Sequence, residues 1–184
     1  MRVPDVILVN ERDEAIGAME KMEVHRKGLL HRAFSVFIFD SKGRMLLQQR
    51  AAVKYHGGLL WTNACCSHPY PGEEVGAAAT RRLEEELGFT TKLEKIFTFS
   101  YHAEVENGLV EHEFDHVFAG SYEGHIHPDK DEVAQYRYEN MAAIREAIEE
   151  RPAEFTSWFR IAFPRVEAWW EGQFGKILNE EKRG

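Results

Sequence analysis

Apolar positions along this chain change their period several times, and each change marks an element. Asp5 to Asn10 alternates and reads as a strand, and Arg32 to Phe39, a β-branched and aromatic run, reads as another. Ser41-Lys42-Gly43 supplies turn chemistry ahead of Met45 to Gln49, which predicts a hairpin. Lys54 to Glu73 is rich in Gly, Pro, Asn and Ser and is expected to be a long irregular loop of the kind that carries function. From Glu74 to Leu87, residues Val75, Ala79, Leu83 and Leu87 recur every fourth position, giving one apolar helical face, with Gly88 where a C-cap belongs. Ile96 to Val105 and Leu109 to Ala119 alternate around Glu106-Asn107-Gly108, whose Asn-Gly pair signals a hairpin. Met141 to Glu150 and Glu154 to Trp170 read as helices, the second kinked or shortened by Pro164. The order predicts an α/β chain of the α+β type, a small mixed sheet flanked by helices.

Composition narrows the partners. With 184 residues, 43% of them hydrophobic and 29% charged, the chain supports one core, so residues 1–184 are expected to form a single domain. The longest apolar stretches, such as Val36 to Phe39, fall far short of the roughly 20 residues that span a bilayer. Pro4 and Asp5 stand where a signal peptide needs an unbroken apolar segment, which points to the cytoplasm. A formal net charge of -8 argues against nucleic acid or an anionic membrane as partner. An anionic small molecule would then need a local basic cluster. Cys65 and Cys66 are adjacent, too close for ordinary disulfide geometry, and are expected to be free thiols.

Three clusters carry candidate chemistry. In Glu111-His112-Glu113-Phe114-Asp115 the strand period puts the three carboxylates on one face, where they repel unless a cation or solvent relieves them; a solvated edge is the plain alternative. The loop Trp61-Thr62-Asn63-Ala64-Cys65-Cys66-Ser67-His68-Pro69 concentrates thiols, an imidazole and an indole, although a cysteine is as readily a small buried hydrophobe. On the helix, Arg81 with Glu85 and Arg82 with Glu86 are ordinary i, i+4 ion pairs, or else the carboxylates are hard ligands for Mg²⁺ beside a diphosphate.

Taken together, Ser67, Glu73, Arg81, Arg82, Leu83, Glu85, Glu86, Gly88 and Phe89 resemble a degenerate Nudix box. Ser67 replaces its first Gly and Arg82 the Glu that follows the Arg, which disfavours nucleotide hydrolysis. Trp-Thr-Asn, a Cys-x-His-Pro element and the later Glu-x-Glu are similar to the type 1 isopentenyl-diphosphate isomerases, and the likeness runs from about Val6 to Trp158. It implies a Nudix-like fold and a prenyl diphosphate substrate whose double bond is moved. By the same resemblance, His25, His31, His68, Glu111 and Glu113 would hold one divalent metal, Mn²⁺, Zn²⁺ or Mg²⁺. Glu86, with the main-chain carbonyl of Cys66, would hold Mg²⁺ on the diphosphate. Cys66 and Glu113 would be the catalytic pair, with Tyr101 relaying a proton. Lys21, Arg50, Lys54, Ser67 and Arg82 would bind diphosphate oxygens, and Trp158, together with Trp61, would stabilise the cation formed at the hydrocarbon end. A monomer or homodimer is expected. The runner-up is a Nudix hydrolase cleaving a nucleoside or prenyl diphosphate.

Overall fold

A computed structural model describes residues 4–54 and 56–181. In chain order the elements are β1 (Asp5–Val9), β2 (Ala15–Glu20), α1 (Lys21–Lys27), β3 (His31–Phe39), β4 (Met45–Arg50), β5 (Trp61–Thr62) and β6 (Cys65–Ser67). There follow α2 (Val75–Leu87), β7 (Glu94–Val105), β8 (Leu109–Ser121), β9 (Val133–Glu139), α3 (Met141–Glu150) and α4 (Ser157–Glu181). The strands join in one mixed sheet, so the α+β expectation holds.

β3 is the spine of the sheet. It runs parallel to β8 from His31↔Glu113 to Phe39↔Ser121 and antiparallel to β6 from Phe34↔Ser67 to Val36↔Cys65. Both faces are covered. Phe34, Val36 and Ile38 pack with Ala79, Leu83 and Leu87 of α2, whereas Phe37 and Phe39 pack with Ile144 of α3 and Phe159, Phe163 and Val166 of α4. A strand buried on both sides reads as an unbroken apolar run, which is why the sequence of β3 does not alternate.

The helix α2 begins on Glu74, whose carboxylate accepts from the Ala77 N–H at 2.9 Å. It ends at Gly88 in the left-handed region (φ 73°), where a Cβ would come within 2.6 Å of the His127 carbonyl oxygen, so only glycine fits. The β7–β8 hairpin turns through Glu106–Gly108, with Asn107 and Gly108 both at positive φ, as the Asn-Gly signal predicts.

Several expectations are corrected. The β3–β4 hairpin keeps only the Phe39↔Met45 pair, because β3 is taken up by β8 and β6 while β4 pairs with β9 and β5. The loop expected from Lys54 to Glu73 contains β5 and β6, two short strands that the sheet imposes on weak local signals. Pro164 does not shorten α4, which continues to Glu181; Pro164 lies on the exposed side, where a carbonyl deprived of its N–H partner can reach solvent. The strands β2 and β9 and the short helix α1 were not anticipated, β2 being largely exposed and paired through its backbone with β1.

Candidate active site

Register builds the site. On the α4 side of the sheet, His31 of β3 stands beside Glu113 of β8, and Glu113 stands opposite Tyr101 of β7. Two rows along, Ser35 of β3 stands opposite Cys66 of β6. The period of two carries Glu111, Glu113 and Asp115 onto this inner face, where they are 4%, 8% and 1% exposed. The solvated-edge alternative is therefore wrong, and buried carboxylates, which cost several kcal/mol each without partners, require partners.

Those partners are imidazoles. His25 projects from the buried side of α1, whose first residue is Lys21 and whose end is the left-handed Gly28. The ligand atoms of His25, His31, His68 and Glu113 all lie within 4.8 Å of one another, and a second set, His25, His56 and Glu111, adjoins the first through His25. His25 Nδ1 lies 2.7 Å from the Lys21 carbonyl oxygen and His31 Nδ1 2.9 Å from that of Leu29. A carbonyl only accepts, so Nδ1 carries the proton in both rings and Nε2 is left as the ligand atom. His31 Nε2 is 3.1 Å from His68 Nε2, which is 3.0 Å from Glu113 Oε1. Imidazole lone pairs and carboxylate oxygens converging in a buried space suit a divalent cation, and backbone carbonyls fixing the far nitrogen are the usual support of such ligands. Burial lowers the His25 imidazole and brings His68 down to about 3, which keeps both neutral as ligation needs. Glu111 is pushed well above the usual carboxylate range by burial and by the Glu113 charge. Burial acts the same way on Glu113, yet the His31 and His68 rings beside it outweigh burial and hold that carboxylate well below its usual range.

The Cys66 thiol is held by a determined network. Asn63 spends both amide hydrogens on the carbonyls of Val36 (3.0 Å) and Cys65 (2.9 Å), so its Oδ1 faces Cys66 and accepts the thiol proton at 3.0 Å. Ser35 Oγ lies 3.5 Å from the sulfur and donates to Asp115 Oδ2 at 2.7 Å. Burial raises the thiol well above its ordinary range, so Cys66 is protonated at rest. Tyr101 donates to Glu113 Oε2 at 2.6 Å and reaches Glu111 Oε2 at 3.2 Å, and burial raises the phenol so that it stays a donor.

Cations line the adjoining side of the same cavity. Lys21, Arg50, Lys54, Arg82 and Ser67 border it together with Glu86, Cys66 and His68. Glu86, 4% exposed, accepts from Gln48 Nε2 at 2.9 Å and from Arg82 at 2.7 Å. Glu132 bridges Lys54 and Arg82, with Arg82 at 3.2 Å. Burial lowers the Lys54 ammonium to about 8. Arg50 lies over the Trp158 ring at 5.1 Å and donates to the His56 carbonyl at 3.1 Å, joining the cationic side to the aromatic one.

The residues expected from the sequence thus converge, with His25 and His31 beneath the cavity and the others on its wall. Trp61 is the exception: it lies under the Arg137 guanidinium at 4.1 Å, away from the cavity. Cys65 is fully buried in the α2-side core, so the two cysteines divide between packing and the site. Both are free thiols. Among the described residues no helix is long and apolar enough to cross a membrane. His56, Ser35 and Glu132 were missed; Asn63 had a signal as the last residue of Trp-Thr-Asn and Asp115 one as the third carboxylate of its strand face, though neither was given a role.

The NUDIX domain family matches residues 29–159. An isopentenyl-diphosphate Delta-isomerase from Pectobacterium atrosepticum is 46% identical over 171 residues, covering 93% of this chain and 96% of the relative. One from Nocardia farcinica is 50% identical over 155 residues, covering 83% and 89%. Among solved structures, a Deinococcus radiodurans protein superposes with a TM-score of 0.68 at 17% identity, covering 80% of this chain and 90% of its own, and a MutT protein from Methanosarcina mazei with 0.61 at 17%, covering 76% and 94%. These two show the fold alone. Sequence identity of this depth over nearly the whole chain, on a Nudix fold, places the protein in the isopentenyl-diphosphate Delta-isomerase family of the Nudix superfamily.

Proposed function

We propose that this cavity isomerises isopentenyl diphosphate to dimethylallyl diphosphate through Cys66 and Glu113. The observation that carries the reading is their placement on one sheet face, with Tyr101 hydrogen-bonded to Glu113 and a cationic wall beside them. His25, His31, His68, Glu111 and Glu113 would hold one divalent ion, and Glu86 with the Cys66 carbonyl would hold Mg²⁺ for the diphosphate. Bound, these ions neutralise the diphosphate and fix the charge state of the buried carboxylates. Lys21, Arg50, Lys54, Ser67 and Arg82 grip the diphosphate oxygens, so remote binding energy orients the alkene.

The alkene has no neighbouring carbonyl to stabilise a carbanion, so a proton adds to the terminal carbon first and leaves a tertiary carbocation. A second group removes a proton from the internal carbon. Cys66 and Glu113 are the two proton-carrying groups, one supplying and the other taking, and proton exchange with solvent restores both before the next turnover. Trp158, 5% exposed, presents an aromatic wall that stabilises the cation by roughly 2 kcal/mol when desolvated and keeps water from capturing it. Arg82 stands where a hydrolase of this fold would carry a Glu, and it is committed to Glu85, Glu86 and Glu132. The protein acts in the cytoplasm as a monomer or homodimer on a small-molecule prenyl diphosphate.

Incubation of isopentenyl diphosphate with the metal-loaded enzyme in D₂O, followed by NMR, tests the reading. The double bond is expected to shift, with deuterium appearing on carbon and no stoichiometric phosphate or pyrophosphate release. Phosphate release with an unmoved double bond would decide for the hydrolase.

A further inference from the structure

The loop between β4 and β5 brings another imidazole to the buried carboxylates. His56 Nε2 lies 3.2 Å from Glu111 Oε1, and the ligand atoms of His25, His56 and Glu111 all fall within 4.8 Å of one another. Ligands about 2.1 Å from one ion sit roughly 3 Å apart at adjacent corners. The 3.1 Å between His31 and His68 and the 3.0 Å between His68 and Glu113 have that spacing, and the His56–Glu111 separation of 3.2 Å repeats it.

The chain holds this ring in place. Its side chain is 3% exposed, and it meets the Trp158 indole edge-on, with ring centroids 5.6 Å apart at 83°. Arg50 grips the His56 carbonyl at 3.1 Å. Gly57, the next residue, takes a left-handed φ of 61° and donates its N–H to Glu106 Oε2 at 3.1 Å, which pins the loop to the β7–β8 turn. A histidine fixed from both backbone sides and aimed at a carboxylate is arranged as ligands are, with its orientation set before the ion arrives.

We propose that His56 is a ligand of the same divalent ion, on the Glu111 side of the centre. The inference rests on the metal-centre reading above. The donor set then comprises His25, His31, His56 and His68 with Glu111 and Glu113. A set this rich in imidazole favours a transition ion such as Zn²⁺, Fe²⁺ or Co²⁺ over Mg²⁺, which prefers oxygen and water. His56 would also couple the ion to the substrate cavity, since the same loop carries Lys54 to the diphosphate side.

Cobalt substitution tests this without reference to turnover. Co²⁺ affinity and the paramagnetically shifted imidazole N–H proton resonances are measured for wild type, His68→Gln, His56→Gln and His56→Ala, with circular dichroism as a check on folding. Each coordinated histidine gives its own shifted resonance. Both His56 variants are expected to lose one resonance and to bind Co²⁺ about 10-fold or more weakly. If His68→Gln shows these losses while a folded His56 variant keeps wild-type affinity and every resonance, His56 is not a ligand and the proposal falls alone. If His68→Gln also binds as wild type does, the metal-centre reading fails and takes the proposal with it.

Discussion

Tyr101 and Glu113 face each other across the β7–β8 ladder, and the Tyr101 hydroxyl donates to Glu113 Oε2 at 2.6 Å. Their proximity follows from strand register, which puts the phenol against the carboxylate even before a ligand binds. Tyr101→Phe keeps the ring in the core and removes only the donor. It is expected to lower kcat about 100-fold with little change in KM, as for a lost proton-transfer partner, while stability falls by about 1 kcal/mol. Steady-state kinetics at saturating metal check this; an unchanged kcat would remove Tyr101 from the proton path.

Cys66 and Cys65 are neighbours with opposite surroundings, one lining the cavity and the other fully buried against α2. Cys66→Ala is expected to abolish isomerisation with the fold intact. Cys65→Ala should retain most turnover at a cost of roughly 1 kcal/mol in stability. Turnover of the Cys66→Ala protein at the wild-type rate would end its catalytic assignment.

Glu86 is buried, and Arg82 and Gln48 occupy its oxygens. Glu86→Gln removes the charge that a Mg²⁺ ion beside the diphosphate needs. The Mg²⁺ concentration for half-maximal activity is expected to rise by about 10-fold or more, with Co²⁺ binding at the histidine centre little altered. Identical Mg²⁺ titrations for variant and wild type would return Glu86 to a purely structural ion pair.

The β1–β2 turn should respond to acid. Asp13, at a positive φ of 63°, is held by Arg32 at 2.7 Å and by His116 Nε2 at 2.8 Å. Burial lowers the His116 imidazole below its ordinary 6.5 despite the Asp13 charge. In the window between that depressed value and 6.5 the unfolded chain binds more protons than the folded one, so stability rises with pH there and is lost on acidification. Urea unfolding from pH 7.5 to 5 should show wild type losing more stability than His116→Gln, whose amide can donate to Asp13 at every pH. Parallel pH profiles for the two proteins would contradict this account.

Much of the molecule was legible in the sequence because its physics is local. The four-residue recurrence of Val75, Ala79, Leu83 and Leu87 ending at Gly88 defines α2, and Asn107-Gly108 with alternation on either side defines the β7–β8 hairpin. The period of two placed Glu111, Glu113 and Asp115 on one face, and the joint order of histidines, Cys-Ser-His-Pro and Glu-His-Glu carried the family resemblance. Only the tertiary structure decided which way that face points, because burial belongs to the packed sheet and not to the strand. It also separated Cys65 from Cys66, turned Trp61 towards Arg137, and parted β3 from β4 after one pair so that β8 and β6 could flank β3. His56 and Ser35 reach the site through contacts 31 to 80 residues apart in the chain or through a loop held by distant partners. No local pattern encodes such contacts, since their free energy appears only once the sheet has closed the distance.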